Sequence, residues 1–295
     1  MRARIWITAV AVVIGAVIAG GWIAAMDGGE PREQTTGTVG PYVGGDLHVL
    51  TVLQDRLYVG GHDGGAVSAD GGTTWTQLPS LEGADPMGAA ATGAETLIGG
   101  HPGLYRSSDG DSFSRVTGKG DLGDVHALGG AGDTVYAGTP ERGLLASGDG
   151  GTTWTTRNAQ AGRTFMGVIL VDPADPRRLI APDMSTGLVT SADGGITWTA
   201  LGGPSGAMSA AWDPTDTRTL VAVGMAGSAM SSDGGQTWTT LAVPEGTSAA
   251  TFSSDGKTLY AAALSGSNAA VYASTDRGSA WKPLTQVDAR TPGKS

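Results

Sequence analysis

The chain contains no cysteine among its 295 residues. Disulfide bonds, thiolate metal ligands and a thiol nucleophile are therefore excluded. Basic residues are also scarce, with 18 Lys and Arg against 28 Asp and Glu and a net charge of −10. We expect no nucleic-acid partner, because proteins bind the phosphate backbone through basic patches.

Only one long hydrophobic run is present, and it lies at the N-terminus. Residues 5–26 carry no charge, and a helix of that length spans a hydrocarbon core of about 30 Å. Arg2 and Arg4 precede the run and Asp27 follows it, so the positive-inside rule places the remainder outside the cytoplasm. The sequence predicts a single-pass anchor in the cell membrane over 1–26, with a cleaved signal peptide and secretion as the alternative.

Glycine is abundant instead, at 50 residues, and much of it falls in a motif of the form S-x-D-G-G-x-T-W. Glycine pairs supply the positive φ of a tight turn, and the Asp carboxylate accepts hydrogen bonds from the turn's own amides. The closing aromatic residue is expected to pack between repeats. Four near-perfect copies and two weaker ones place the structural aspartates at Asp70, Asp109, Asp149, Asp193, Asp233 and Asp276.

The spacing of about 40 residues between copies leaves room for four short strands in each repeat, which is typical of a propeller blade. In the first repeat we predict strands at 48–53, 56–60, 65–69 and 74–78. The predicted fold class is therefore all-β, a six-bladed β-propeller of four-stranded blades at 41–287, preceded by the N-terminal transmembrane helix. Residues 27–40 are predicted to be a flexible linker and 288–295 a disordered tail. Residues 42–43 are a candidate outer strand of the last blade.

Aligning the blades reveals histidines and methionines in two columns. One column lies near the start of the first strand and the other just past the second strand, on the face opposite the motif turns. Aspartates lie two residues before several of these positions, which places them on the same face of the strand. The predicted ligand-binding mouth comprises Asp46, His48, Asp63, Met87, His126, Met166 and Met208.

Three hypotheses follow for this mouth. In the first, these residues line the wet channel of a ligand-binding or scaffold module. In the second, the mouth binds copper or zinc, because His, Met and carboxylate ligands suit these metals. The third is a glycoside hydrolase, which needs two carboxylates flanking the scissile bond, with Asp85, Asp124 and Glu141 as candidates. The candidate metal ligands are His48, His62, His101 and His126.

The repeated motif resembles the BNR or Asp-box repeat of sialidases and related propellers, over nearly all of 41–287. The short form of the chain resembles small bacterial exported proteins described as BNR-type glycosyl hydrolases or exo-α-sialidase-like. This resemblance implies a six-bladed fold. The arginine triad and Tyr nucleophile of true sialidases have no matching positions here, so a sialidase mechanism is not carried over. We expect a membrane-anchored extracytoplasmic module with a glycan, metal or protein partner.

Overall fold

The computed structural model describes residues 38–93 and 95–286. The predicted membrane segment 1–26, most of the predicted linker and the predicted tail at 288–295 lie outside the described residues. Within the described part, no helix is long and apolar enough to cross a membrane. The ordered elements are short strands and two 3₁₀ turns, at Pro79–Leu81 and Gly118–Gly120.

The described chain forms six sheets with four antiparallel strands each, one of which gains a fifth, parallel strand, and one separate parallel pair of short strands. This confirms the predicted six-bladed propeller of four-stranded blades. A short strand, β1 (Thr38–Val39), precedes the first blade. Blades 1 to 3 contain β2 (Leu47–Leu53), β3 (Arg56–Gly61), β4 (Gly64–Ser68), β5 (Thr76–Gln77), β6 (Asp85–Thr92), β7 (Glu95–His101), β8 (Leu104–Ser107), β9 (Ser114–Arg115), β10 (Ala127–Ala131), β11 (Thr134–Thr139), β12 (Gly143–Ser147) and β13 (Thr155–Asn158).

Blades 4 to 6 follow the same order, with one additional short strand before blade 4 and one at the end. The fourth strand of several blades is only two residues long, shorter than the sequence predicts. These elements are β14 (Gly167–Val168), β15 (Leu170–Val171), β16 (Leu179–Asp183), β17 (Gly187–Ser191), β18 (Thr199–Gly202), β19 (Ala207–Asp213), β20 (Asp216–Gly224), β21 (Gly227–Ser231), β22 (Thr239–Thr240), β23 (Thr247–Phe252), β24 (Leu259–Ser265), β25 (Asn268–Ser274), β26 (Lys282–Pro283) and β27 (Thr285–Gln286).

Hydrophobic side chains fill the spaces between blades. Six clusters of buried residues are present, and each joins two neighbouring blades, including blade 6 to blade 1. Five motif tryptophans pack against the edges of these clusters, and Phe113, which replaces the tryptophan in blade 2, is buried in one. The prediction that the motif aromatic residue packs between blades is therefore confirmed.

The ring closes through the residues before β2. Strand β1 pairs in parallel with β27 at the outside of blade 6. Tyr42 makes one antiparallel bridge to Asn268, and the Asn268 side-chain amide donates to the Gly40 carbonyl at 2.6 Å. The outer strand is thus Thr38–Val39 rather than the predicted 42–43, and it lies within the segment predicted as a linker.

The motif turns connect the third and fourth strands, and we call them box turns. In the first, the buried Ser68 hydroxyl donates to Asp70 Oδ1 at 2.8 Å and accepts from the Gly72 amide at 2.8 Å. Asp70 Oδ1 also accepts from the amides of Thr73 and Thr74. All six copies repeat the Ser–Asp bond and the amide bonds to the aspartate. The six aspartates therefore shape turns, as predicted.

Strand β14 lies at the centre of the ring. This strand pairs in parallel with β10 of blade 3, whereas the rest of its segment continues into blade 4. A Cβ added to Gly88 in blade 2 would lie 2.6 Å from the Gly167 carbonyl oxygen, and one added to Gly167 would lie 2.8 Å from the Met208 carbonyl oxygen in blade 5. Because blades 2 and 5 face each other across a six-membered ring, β14 separates the two ends of the axis.

Candidate functional site

The first column of predicted site residues lies where the pairing of the first and second strands shifts register. The shift falls at His48 in blade 1, Met87 in blade 2 and Met208 in blade 5. Such bulges bend a strand and redirect one side chain. Blade 6 shifts at Ser248, a member of the column that sequence reasoning missed because serine is common throughout the chain.

Asp85 lies between two histidines of the preceding blade. One carboxylate oxygen is 3.3 Å from His48 Nε2 and the other is 3.5 Å from His62 Nδ1. The His48 side chain is 10% exposed and that of Asp85 16%, whereas His62 is exposed. Asp46, placed by the sequence on the same face as His48, is farther away, at 3.9 Å from His48 Nε2. The closest carboxylate partner of His48 is thus on the next blade.

A second group repeats this arrangement one blade further on. Asp124 Oδ2 lies 3.0 Å from His126 Nε2, and Asp124 Oδ1 lies 3.8 Å from His101 Nδ1. His101 occupies the same position in blade 2 as His62 in blade 1. The predicted proximity of Asp124 and His126 is found here within one blade. The four histidines therefore form two pairs, each sharing one aspartate.

Three side-chain atoms in these groups are buried without a hydrogen-bond partner within the protein, namely His48 Nδ1, Asp85 Oδ1 and Asp124 Oδ1. Leaving a buried polar group unpaired costs roughly 1–3 kcal/mol, and more for a charged group. Most buried polar groups in native proteins are paired. These unpaired atoms therefore lower the stability of the fold at this end of the axis.

Tyr42 and Asp63 extend the polar region at the rim. The Tyr42 hydroxyl donates to Asp63 Oδ2 at 2.8 Å, and this hydrogen bond raises the pKa of Tyr42. Sequence reasoning identified Asp63 but not its partner, since the two are 21 residues apart. We define the polar mouth as Asp46, His48, His62, Asp63, Asp85, His101, Asp124 and His126.

Two methionines on blades 4 and 5 lie just past the second strand, the position that His62 has in blade 1. Met184 and Met225 are exposed, the latter by 73%. Met87 and Met166, by contrast, are buried and serve packing, while Met208 is half-buried. The predicted ligand-binding methionines thus divide into two core residues and one that remains accessible.

The predicted catalytic acids are not equivalent. Asp85 and Asp124 lie in the histidine groups described above, and Glu141 is exposed on blade 3. The catalytic assignment of these three residues stays a prediction.

The described residues give no support to the predicted copper or zinc site. Over 38–93 and 95–286, no group of three or more His, Asp or Glu side chains is arranged to hold a metal ion. In each group, the two histidines contact different carboxylate oxygens of the aspartate that they share. The contacts therefore connect the side chains pairwise and do not converge on one point.

The box turns on the opposite face are held by charge-assisted hydrogen bonds. The Thr197 and Thr237 hydroxyls and backbone amides donate to Asp193 and Asp233, and these bonds lower the pKa of each carboxyl to about 2. These carboxylates have their acceptor sites occupied by the turn. They differ in this respect from Asp85 and Asp124.

No protein-family model and no curated protein matches the chain. Among solved structures it is similar to the GH74 xyloglucanase from Xanthomonas campestris, with 17% identity over 83% of this chain and a TM-score of 0.57, although it spans only 46% of that enzyme. It is also similar to YCF48 from Cyanidioschyzon merolae, with 18% identity over 84% of this chain and 88% of that one and a TM-score of 0.52. YCF48 bound to D1 peptide gives the same identity and TM-score, over 83% and 84% of the two chains. At these identities the likeness shows the propeller fold alone.

Proposed function

We propose that this chain is an exported, membrane-anchored binding protein of Asp-box type, and that its polar mouth binds a basic side chain presented by a protein partner. The observation that carries the proposal is the set of unpaired buried atoms on His48, Asp85 and Asp124. A ligand that donates several hydrogen bonds satisfies these carboxylate oxygens. The ammonium group of lysine carries three such donors.

The charge of the mouth favours a cation over an anion. The polar mouth consists of four aspartates and four histidines and contains no Lys or Arg. A charge pair in a partly desolvated site is much stronger than one at an exposed surface, because the effective dielectric constant is lower. Asp85, with a side chain 16% exposed, offers such a site.

The flanking methionines favour a polypeptide over a free cation. Exposed methionines adapt to different apolar side chains and are common on peptide-binding surfaces. Met184 and Met225 supply such a surface on blades 4 and 5, on the same face of the ring as the polar mouth. The similar YCF48 structure contains a bound peptide, which supports a peptide ligand for a propeller of this kind. The uncharged run at 5–26 supports membrane anchoring.

The experiment uses ligand-observed NMR to measure the binding of N-acetyl-lysine-N-methylamide to the full-length chain in detergent micelles. We expect millimolar binding, whereas the norleucine analogue, which lacks the ammonium group, does not bind. The double variant Asp85→Asn/Asp124→Asn should lose binding, while Asp175→Asn/Asp255→Asn, which removes the same charge from the opposite face, should retain it. Equal binding by all three proteins, or none by the wild type, would contradict the proposal.

A further inference from the structure

A second cavity lies at the other end of the axis, where the first strands of the blades end. Its volume is about 320 Å³, and residues from the first strands of all six blades line it. The turns after those strands form its rim, through Gln54, Asp55, Pro214 and Ser254. We call it the axial pocket. It shares no residue with the polar mouth.

The axial pocket is closed at its inner end. Val168 of β14 and the following Ile169 line it, and β14 lies at the centre of the ring among blades 2, 3 and 5. Small residues keep the remaining space open, because Ala89–Ala91, Gly129–Gly130 and Ala210–Ala211 form much of the wall. The result is a blind pocket rather than a through-channel, and its volume falls at the lower end of the range for small-molecule sites.

The wall of the axial pocket combines aromatic and neutral polar groups. Trp212 of blade 5 and Phe252 of blade 6 line it, together with the buried Thr51 and Thr251. Asp55, at the rim, is the one charged residue among the lining positions. Burying an ion without a partner is costly, so this lining disfavours a charged ligand.

The backbone provides further hydrogen-bonding groups. Among the described residues, β2, β6, β19 and β23 are the last strands of their sheets on the side of the axis, and the Ala250 amide of β23 already bonds to the Ser209 hydroxyl of β19. Unpaired strand edges present amides and carbonyls that accept a new partner. The pairing of β14 with β10 shows that an edge on this axis takes up an extended segment.

From this lining we infer that the axial pocket binds a neutral small aromatic molecule carrying one hydrogen-bonding group. The ring lies against Trp212 and Phe252, since aromatic pairs gain free energy beyond their buried area. The polar group bonds to a strand edge or to a buried threonine hydroxyl. This site is independent of the proposed function of the polar mouth.

The test uses 2-naphthol as the probe and 2-naphthoate as its charged counterpart, with the full-length protein in micelles and ligand-observed NMR. We expect saturable binding of 2-naphthol and much weaker binding of 2-naphthoate, with binding to empty micelles subtracted. Ala91→Leu fills the pocket at a half-buried position outside the inter-blade clusters. It should lower the affinity at least about tenfold, or 1.4 kcal/mol.

Ala69→Leu is the matched control, because Ala69 is exposed in a box turn on the same face. It should leave 2-naphthol affinity unchanged. If Ala91→Leu does not show a cooperative unfolding transition, Ser254→Arg serves as the second test variant. This substitution places a cation at the exposed rim and should strengthen 2-naphthoate binding. Absence of 2-naphthol binding to the wild type, or equal loss in Ala69→Leu, would overturn the inference, and so would unchanged 2-naphthoate binding in Ser254→Arg.

Discussion

The two ends of the propeller axis are built from the same six first strands, yet their chemistry is opposite. At the strand starts, a register shift redirects His48, and Asp85 of the next blade contacts it. At the strand ends, alanines and glycines leave a pocket with aromatic and threonine walls. Strand β14 separates the two ends. Residues that repeat in every blade thus support the fold, while positions whose residue type changes between blades are available for binding.

Disrupting the packing of β14 at the centre of the ring should have the largest effect on this comparison. A Cβ on Gly129 would lie 1.8 Å from the Ile169 carbonyl oxygen, so Gly129→Val forces the two strands apart. We expect a loss of at least about 3 kcal/mol in the free energy of unfolding, measured by urea denaturation. Gly148→Ala is the control, because nothing lies within 4 Å of a Cβ added there. Similar stability of the two variants would show that β14 does not fill the axis.

The box turns should give a smaller, pH-dependent effect. The pKa of Asp233 is lowered to about 2 in the fold by the Thr237 hydroxyl and by backbone amides, against about 3.9 in an unfolded chain. Its stabilisation is therefore complete above pH 4 and is lost as the pH falls towards 2. Asp233→Asn should be less stable than wild type at pH 7, and the two urea midpoints should converge near pH 2.

Ser232→Ala serves as the control for that series, since Ser232 is the exposed variable position of the same turn. Its unfolding should follow the wild-type pH dependence throughout. A constant difference between Asp233→Asn and wild type from pH 7 to pH 2 would show that the carboxylate charge does not stabilise the turn.

Metal addition should produce the smallest effect. Because no three ligands converge over the described residues, we expect titration with Zn²⁺, Cu⁺ or Cu²⁺ against a competing chelator to show no stoichiometric site. The double variant His48→Ala/His126→Ala should behave like the wild type. Stoichiometric binding that disappears in the double variant would restore the metal site predicted from the sequence.

The sequence predicts the fold well because its information is local and repeated. The turn chemistry of Ser68, Asp70 and Gly72 is contained within five residues, so the blades and their number follow from spacing. The central position of β14 was not predicted, because it depends on packing among blades 2, 3 and 5 that no single repeat encodes.

The candidate site was predicted only in part for the same reason. The columns of histidines and methionines follow from alignment of the repeats, and Asp124 with His126 follows from strand geometry. The contact of Asp85 with His48 joins two blades, so alternation along one strand does not reveal it. The axial pocket arises from small residues that carry no motif.

The most direct test of the account measures affinity and stability together in Asp85→Asn/Asp124→Asn. If these aspartates are maintained for a cationic ligand, the variant should lose at least about tenfold in affinity for N-acetyl-lysine-N-methylamide. Its free energy of unfolding should remain within about 1 kcal/mol of the wild-type value or exceed it, because one buried oxygen of each carboxylate has no hydrogen-bond partner in the fold. Unchanged affinity combined with a large loss of stability would contradict the account and assign the two aspartates to the structure of the ring.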